Sequence, residues 1–261
     1  MATYLDRILA GHRAAASGDR RSVEQLREQA RDAAPARGFA RALATADGLG
    51  VIAEIKRASP SKGELAPHLD PAAVARAYAS GGATCLSVLT DAEWFKGSPD
   101  DLRAARAASD VPVLRKDFTV SEADVCDAAI MGADAVLLIA AALDDAELAA
   151  FHALALDLGI DALVEIHDEP ELERALAVGA DLVGVNQRDL VTFAVDTDRA
   201  VRLAPAIPAG VVRVAESGVR GPADAAGLAT AGYHAVLVGE SLVTAADPAE
   251  AVAALRAAAT T

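Results

Sequence analysis

The sequence predicts an α/β fold, a (β/α)₈ barrel of the TIM type with a helical extension at its amino terminus. Three observations predict it: eight short apolar runs, helix-sized segments between them, and a glycine-led phrase that recurs before five of the runs. A barrel of this type takes about 250 residues as one domain, and the chain has 261. We therefore predict one domain over residues 1–261, with residues 1–48 as the extension and residues 49–261 as the barrel.

The eight predicted strands are rich in Val, Leu and Ile, which is typical of parallel strands buried on both faces. They are residues 51–55, 84–89, 111–114, 135–139, 162–166, 182–185, 211–214 and 235–239. Segments of helical length separate them, as in successive βα units. The first run is not followed by a G-x-G-x-x-G fingerprint, which argues against a dinucleotide-binding sheet.

The recurring phrase places a glycine shortly before a strand, as in MGADAVLLI and VGADLVGVN. Its glycines are Gly82, Gly132, Gly159, Gly179 and Gly232. A glycine at this point fits the left-handed residue that commonly ends a helix. The phrase indicates a unit of roughly 25 residues, and eight such units favour a closed barrel over an open sheet.

Composition narrows the function classes. The formal net charge of −14 argues against a general nucleic-acid binder and against binding to anionic membranes. The longest apolar run, residues 135–143, is too short to cross a bilayer, and the amino terminus lacks the apolar stretch of a secretory signal. Cys85 and Cys126 fit buried thiols in a reducing compartment rather than a disulfide framework. We expect a soluble, cytoplasmic protein.

Polar side chains close five of the predicted strands at their carboxyl ends, where barrel enzymes place their active sites. They are Glu54 and Lys56, Lys116, Glu165, Asn186 and Arg188, and Glu216. Because alternate residues of a strand face the same way, we expect these side chains to point to the same face of the strand as the residue two positions earlier. Solvated strand ends would explain one or two such positions, but three carboxylates and three cations favour an active site.

Lysine usage points to the same end of the barrel. The chain has four lysines, which end or follow the first three strands: Lys56, Lys62, Lys96 and Lys116. A lysine ammonium can change its pKa within a protein, whereas arginine stays charged. We expect function from Lys56 and Lys116, while Lys62 and Lys96 fit ordinary loop residues equally well.

Phosphate binding is expected from the loops after the last two strands of such a barrel. These loops read Glu216-Ser217-Gly218 and Gly239-Glu240-Ser241. Glycine lets the backbone approach an anion, and backbone amides supply donors. Residues 59–63, after the first strand, either close over the same phosphate or form a mobile surface loop, and the two interpretations are compatible.

Seven segments together resemble the motifs of the indole-3-glycerol-phosphate synthase family. They run in the family's order through residues 51–243: IAEIKRASPSKG, LSVLTDAEWFKGS, VLRKDF, LVEIHDEPEL, VGVNQRDLVTF, AESGV and LVGESL. The resemblance implies an enzyme without a metal or an organic cofactor. It would close, decarboxylate and dehydrate 1-(2-carboxyphenylamino)-1-deoxyribulose 5-phosphate to indole-3-glycerol phosphate, in tryptophan biosynthesis.

The same resemblance implies a role for each polar residue at the carboxyl end of the barrel, which we call the mouth. Lys116 would be the general acid that protonates the ribulose carbonyl, and Glu165 would assist proton transfer in dehydration. Lys56 would contact the substrate carboxylate and share acid duty, Glu54 would hold the lysines, and Asn186 would orient the substrate. The substrate-binding residues would be Arg188, Glu216, Ser217, Trp94, Phe95 and Phe118, with Ser59, Gly218, Gly239 and Glu240 around the phosphate. Gln187 and Trp94 depart from the family's usual Asn and Phe or Tyr, which puts the pocket shape near Trp94 in doubt.

Other interpretations stay open on the sequence alone. A class I aldolase-like barrel would form a Schiff base on Lys116 or Lys56, and the phosphate motifs suit it equally. Another barrel isomerase of tryptophan or histidine synthesis is a second alternative. A catalytically silent scaffold is a third, although every ionisable group expected of an enzyme is present. For partners we expect a small phosphorylated substrate, with either a monomer or a complex with other enzymes of the pathway.

Overall fold

Eight parallel strands close into a barrel in the computed structural model, which describes residues 3–258. The barrel strands are β1 (Gly50–Ile55), β4 (Cys85–Leu89), β5 (Val113–Lys116), β6 (Ala135–Ile139), β7 (Asp161–Ile166), β8 (Leu182–Asn186), β9 (Val212–Glu216) and β10 (Ala235–Val238). Strand β1 pairs with both β4 and β10, which closes the ring. The predicted barrel is confirmed. Residues 1–2 and 259–261, the ends of the predicted domain, lie outside the described residues.

Helices surround the barrel and precede it. Those of the βα units are α4 (Pro71–Ser80), α5 (Pro99–Ala108), α6 (Glu122–Ile130), α7 (Asp145–Asp157), α8 (Glu169–Ala177), α9 (Arg199–Leu203), α10 (Pro222–Thr230), α11 (Glu240–Val243) and α12 (Pro248–Ala257). The extension holds α1 (Tyr4–Gly18), α2 (Val23–Arg31) and α3 (Phe39–Ala44), and a small antiparallel hairpin, β2 (Ala58–Ser59) with β3 (Gly63–Glu64), follows β1. Among residues 3–258, no helix is both long and apolar enough to span a membrane.

Local sequence signals explain where the helices begin and end. Asp70, Ser98 and Asp247 cap helices whose first residue is a proline, and each cap side chain accepts a hydrogen bond from a backbone N–H of the first turn. The five glycines of the recurring phrase have φ between +76° and +90°, as predicted for left-handed helix ends. The phrase is therefore a helix stop placed directly before a strand.

Strand β5 lies two residues later than predicted, at Val113–Lys116 instead of residues 111–114. Pro112 has no N–H to give to the ladder, although its carbonyl accepts a hydrogen bond from the Leu86 N–H. The shift brings Lys116 into the ladder opposite Leu89. Strands β8 and β9 likewise extend beyond their predicted ends, to Asn186 and Glu216. Rigid strand backbone therefore holds Lys116, Asn186 and Glu216 at the mouth.

The core has two layers, because successive strand residues face opposite sides. Val51 and Ala53 of β1 pack outward against the helices, whereas Ile52 packs inside the barrel with Leu114 and Leu163. The inner layer is buried and mainly aliphatic. Glu54, Lys116, Glu165 and Glu216 each stand two positions after a residue of the inner layer, so the pleat directs them into the open end of the barrel.

The extension wraps the barrel from mouth to base. Helix α1 lies at the mouth, where the Arg13 guanidinium pairs with Glu147 at 2.7 Å. Helix α2 packs on α6. Helix α3 closes the base: Phe39 and Leu43 are buried in the inner layer, and the Ala40 N–H donates to Asp161 at 2.9 Å. The sequence predicts these helices but not their placement.

His12 fastens α1 to the mouth through Asp91, whose Oδ2 lies 3.0 Å from His12 Nε2. The hydrogen bond with Asp91 raises the pKa of His12 above its ordinary value, against the opposing effect of burial. A raised folded-state pKa stabilises the fold fully below the unfolded pKa, and the contribution disappears as pH rises through the folded pKa. The contact is therefore strongest in mild acid.

We expect His12→Gln to destabilise the protein by about 1–2 kcal/mol at pH 6, the size of a charge-assisted hydrogen bond, and by clearly less at pH 9. Urea unfolding of the variant and the wild type at both pH values measures the difference. His68→Gln, at an exposed histidine, is the matched control and should change stability little at either pH. A His12→Gln penalty that is equal at pH 6 and pH 9 would contradict the charged contact.

Candidate active site

A cavity of about 950 Å³ opens at the carboxyl ends of the barrel strands. Leu5 and Ile8 of α1 form part of its wall. Of the predicted site residues, all except Trp94 line it: Glu54, Lys56, Ser59, Phe95, Lys116, Phe118, Glu165, Asn186, Arg188, Glu216, Ser217, Gly218, Gly239 and Glu240. The structure thus brings residues from seven strands or their following loops into one concave site.

Lys116 lies at the centre of the cavity floor between two carboxylates. Its Nζ is 2.9 Å from Glu165 Oε2 and 3.0 Å from Glu216 Oε2. Both glutamates are almost completely buried, with exposures of 1%. One cation between two desolvated carboxylates leaves an excess negative charge, which favours the uptake of one proton by the group.

The electrostatics of this trio follow from burial and charge. Burial opposes the charged form of Lys116, but the charges of Glu165 and Glu216 outweigh it and raise the pKa of the ammonium well above its usual range. Burial also opposes ionisation of Glu165, yet the charges of Lys116 and His167 outweigh it and lower its pKa below the ordinary value. Burial, assisted by the charge of Glu165, raises the pKa of Glu216 to about 7. Lys116 thus stays protonated, while the carboxyl group of Glu216 exchanges its proton near neutral pH.

A second lysine–glutamate pair lies beside the trio on β1 and the residue after it. Lys56 Nζ is 2.7 Å from Glu54 Oε1, and Ser87 Oγ lies 3.4 Å from Glu54 Oε2. Gly239 approaches this pair so closely that a Cβ there would overlap Glu54 Oε1 and Lys56 Nζ. A side chain at position 239 would therefore require Glu54 and Lys56 to move, and the loop after β10 passes directly over the pair.

Asn186 and Arg188 belong to a hydrogen-bonded turn after β8. Asn186 Nδ2 donates to Glu165 Oε1 at 3.0 Å, and Asn186 Oδ1 accepts from the Arg188 backbone N–H at 3.0 Å. Arg188 also donates from its guanidinium to the Phe193 carbonyl at 3.1 Å. Gln187 turns away and donates to the Ser217 carbonyl at 2.7 Å. Gln187, where the family resemblance leads us to expect Asn, therefore ties the loop after β8 to the loop after β9.

The loops predicted to bind phosphate meet on one side of the cavity. Ser217 and Gly218 are successive residues with positive φ, +65° and +77°, and such backbone strain in a residue other than glycine is frequent at functional sites. In the loop after β10, Glu240 Oε1 lies 3.2 Å from Lys62 Nζ. This pair connects the loop after β1 with the loop after β10, and it offsets the carboxylate where an anion is expected.

The aromatic side of the cavity differs from the sequence prediction. Phe95 and Phe118 line it, with ring centroids 6.3 Å apart. Trp94 lies outside the lining and packs its ring edge-to-face on Tyr4 at 5.1 Å. The tryptophan therefore supports α1 rather than bordering the cavity, because α1 occupies the space beside it.

Leu5, Ile8 and Gly184 are among the contributors to the site that were not predicted from the sequence. Leu5 and Ile8 give the wall an apolar face, but the spacing of apolar residues in α1 does not tell which surface the helix covers. Gly184 of β8 lies under Glu216, where a Cβ would overlap Glu216 Oε1. A glycine inside an otherwise branched strand run, LVGVN, is the signal that could have indicated a close approach.

His12, Asp91 and Asp117 also lie together, with possible ligand atoms within 4.8 Å of one another. Their oxygens already have donors. Asp91 accepts from the Trp94 and Phe95 N–H groups in addition to His12. Asp117 accepts from Thr90 and from the Arg115 guanidinium, which adds a cation to the group. We assign the cluster to fastening α1.

The fold and the mouth together define a class of protein: a (β/α)₈ enzyme built for acid–base chemistry. The chain matches the family model of indole-3-glycerol phosphate synthase over residues 5–255. It is 52% identical over 256 residues to an indole-3-glycerol phosphate synthase of Mycolicibacterium vanbaalenii, with 97% of this chain and 94% of the relative covered. A relative of that name from Nocardioides sp. is 58% identical over 207 residues, covering 79% and 80%.

The chain belongs to the indole-3-glycerol phosphate synthase family. The predictions of the family, of its ring-closing and decarboxylating lyase function and of a place in tryptophan biosynthesis are thereby confirmed. A solved thiamine phosphate pyrophosphorylase from Pyrococcus furiosus superposes with a TM-score of 0.63 at 16% identity, covering 81% of this chain and 96% of that one. That likeness shows the barrel fold alone.

Proposed function

We propose that this chain converts 1-(2-carboxyphenylamino)-1-deoxyribulose 5-phosphate to indole-3-glycerol phosphate with its own side chains as the acids and bases. The observation that carries the proposal is the position of Lys116, protonated between Glu165 and Glu216 on the cavity floor. An ammonium held there can meet charge that develops on a substrate oxygen without first reorganising water.

Ring closure requires a new carbon–carbon bond between the carboxyl-bearing ring carbon and the ribulose carbonyl carbon. The electron pair of the C=O bond moves onto oxygen, and Lys116 donates a proton to it. The adjacent carboxylate then leaves as carbon dioxide, and the electrons of the broken bond return to the ring. Lys56, paired with Glu54, contacts that carboxylate before it leaves and shares acid duty.

Dehydration then removes the hydroxyl group as water. The departing oxygen needs a proton from an acid, and a base must take a proton so that the indole double bond forms. Glu165 is the base, because Lys116 and Asn186 hold its carboxylate ionised and oriented. Asn186 orients the substrate from the same strand end.

The remaining lining residues bind the substrate. Arg188, Glu216 and Ser217 contact its polar groups, and Phe95 and Phe118 flank the anthranilate ring. Ser59, Gly218, Gly239 and Glu240 surround the phosphate, with Lys62 as a nearby cation. Trp94, predicted to border the same ring, contacts Tyr4 of α1, whose residues Leu5 and Ile8 line the pocket.

The environment of Lys116 argues against the aldolase-like alternative. A Schiff base forms from a neutral amine, whereas two carboxylates raise the pKa of Lys116 well above its usual range. The intact set of ionisable groups likewise argues against a silent scaffold. We further propose that residues 1–261 form one domain that works in the cytoplasm, either as a monomer or in a complex with other enzymes of the pathway.

The direct test supplies the anilino-deoxyribulose phosphate to the purified protein and follows indole fluorescence. We expect a rise in indole emission, with indole-3-glycerol phosphate identified by mass spectrometry. Boiled protein is the control for spontaneous cyclisation. A well-folded preparation that yields no indole product would refute the proposed function.

A further inference from the structure

His167 lies behind Glu165, outside the cavity lining, at the end of β7. Its Nδ1 is 3.0 Å from Glu171 Oε2, which also accepts a hydrogen bond from the His167 backbone N–H at 2.7 Å. Its Nε2 is 3.8 Å from Glu165 Oε1 and has no hydrogen-bond partner within residues 3–258. The imidazole therefore bridges a carboxylate of α8 and a carboxylate of the site.

The contacts of the His167 ring favour its protonated form, the imidazolium. A carboxylate can only accept, so Nδ1 carries a hydrogen toward Glu171. In a neutral ring the Nε2 lone pair would face the carboxylate of Glu165, whereas a protonated ring presents a positive N–H to it. Burial lowers the pKa of His167, but Glu171 and Glu165 outweigh it and raise the pKa, with Arg199 of α9 as the opposing cation.

The two glutamates around Lys116 are unequally supported. Glu165 has Lys116 at Oε2, and at Oε1 it has the Asn186 amide and the His167 ring. Glu216 also has Lys116 at Oε2, but its Oε1 is buried and without a hydrogen-bond partner in the described part of the chain. An unpartnered buried oxygen suits a protonated carboxyl better than a carboxylate. Glu54, which adds negative charge, faces the trio from β1.

We propose that His167, held as an imidazolium by Glu171, is a positioning residue that directs the shared proton of the pair to Glu216 and keeps Glu165 ionised. The inference rests on the proposed role of Glu165 as the base in dehydration. Without the imidazolium charge, the proton is redistributed toward Glu165, which then cannot accept another. Solvent supplies and removes this proton.

The kinetic test uses His167→Asn, in which an amide N–H replaces the Nδ1 donor without the charge. An opposite charge this close commonly lowers a carboxyl pKa by about 1–3 units, so its loss should raise the pKa of Glu165 by an amount in that range. We expect kcat to fall about tenfold relative to the wild type at pH 7 and to return to within about twofold at pH 9, because alkali ionises Glu165 again. A loss that is the same at both pH values, or no loss, would overturn the proposal.

Two further variants distinguish loss of the His167 charge from a general effect of substitution on the structure. Glu171→Gln keeps the ring but removes its counter-charge, so it should show the same pH-dependent loss to a smaller degree, even if His167→Asn does not fold. His152→Asn replaces a buried histidine of α7 that lies outside the cavity lining, and its kcat ratio to the wild type should not depend on pH. If Glu171→Gln showed no pH-dependent loss, His167 would not act through its charge.

A measurement without substrate separates this proposal from the proposed function. In protein labelled with ¹³C at the glutamate carboxyls, the wild-type signal that titrates near neutral pH should be the one that disappears in Glu216→Gln. In His167→Asn, the carboxyl of Glu165 should titrate in this range. If Glu165 already does so in the wild type, the proton assignment is wrong, whether or not the protein forms indole.

Discussion

Lys116→Met should lose about 10³-fold in kcat while keeping its fold. General acids contribute about 10²–10⁴-fold, and this lysine additionally stabilises the charge that develops on the carbonyl oxygen. Methionine fills the same volume without the ammonium. Glu165 and Glu216 would then have no cation between them, so their pKa values should rise, and neutral carboxyl groups spare the fold the cost of two unpaired buried charges.

Indole fluorescence measures the rate of Lys116→Met, and circular dichroism with thermal unfolding measures its fold. Lys96→Met is the matched control, because Lys96 is exposed and outside the cavity lining. It should retain wild-type turnover. If Lys116→Met kept more than a tenth of the wild-type kcat, the principal acid would be elsewhere, and Lys56 would be the next residue to test.

Asp134→Ala should destabilise the protein by about 3–5 kcal/mol, the usual effect of breaking a buried ion pair. Asp134 is fully buried where β6 begins. Its Oδ2 accepts from the Arg106 guanidinium at 2.6 Å and from the Val113 N–H at 2.7 Å, and its Oδ1 accepts from the Arg37 N–H at 2.7 Å. Alanine would leave a poorly exposed guanidinium and two amides without their acceptor.

Urea unfolding gives the free-energy change for Asp134→Ala. The control is Asp157→Ala, which breaks an ion pair with Arg31 whose side chains are 57% and 51% exposed. Such exposed pairs contribute about 0–1 kcal/mol, so this variant should remain close to the wild type. Equal small losses in both variants would show that Asp134 does not fasten the extension and β5 to the barrel.

Strand periodicity explains why much of the barrel and its mouth could be predicted. Glu54, Lys116 and Glu165 each stand two residues after a buried aliphatic residue, and the pleat alone places them on its side of the strand. The glycine phrase located the strand starts because a left-handed helix end has a recognisable residue. Roles within the mouth came from family resemblance, since periodicity gives position and not chemistry.

Contacts between distant parts of the chain explain what could not be predicted. Helix α1 reaches the mouth through pairs such as His12 with Asp91 and Arg13 with Glu147, separated by 79 and 134 residues. No local pattern encodes such pairings, so the displacement of Trp94 from the cavity was also unforeseen. The inequality of Glu165 and Glu216 depends on His167, whose ring direction is a tertiary property.

We propose that Lys116 acts as a protonated acid and never as a nucleophile. Borohydride reduction during turnover, followed by peptide mass spectrometry of the lysines, tests it most directly. We expect indole-3-glycerol phosphate as the product, with Lys116 and Lys56 unmodified. A substrate-derived secondary amine trapped on Lys116, with loss of indole formation, would contradict it.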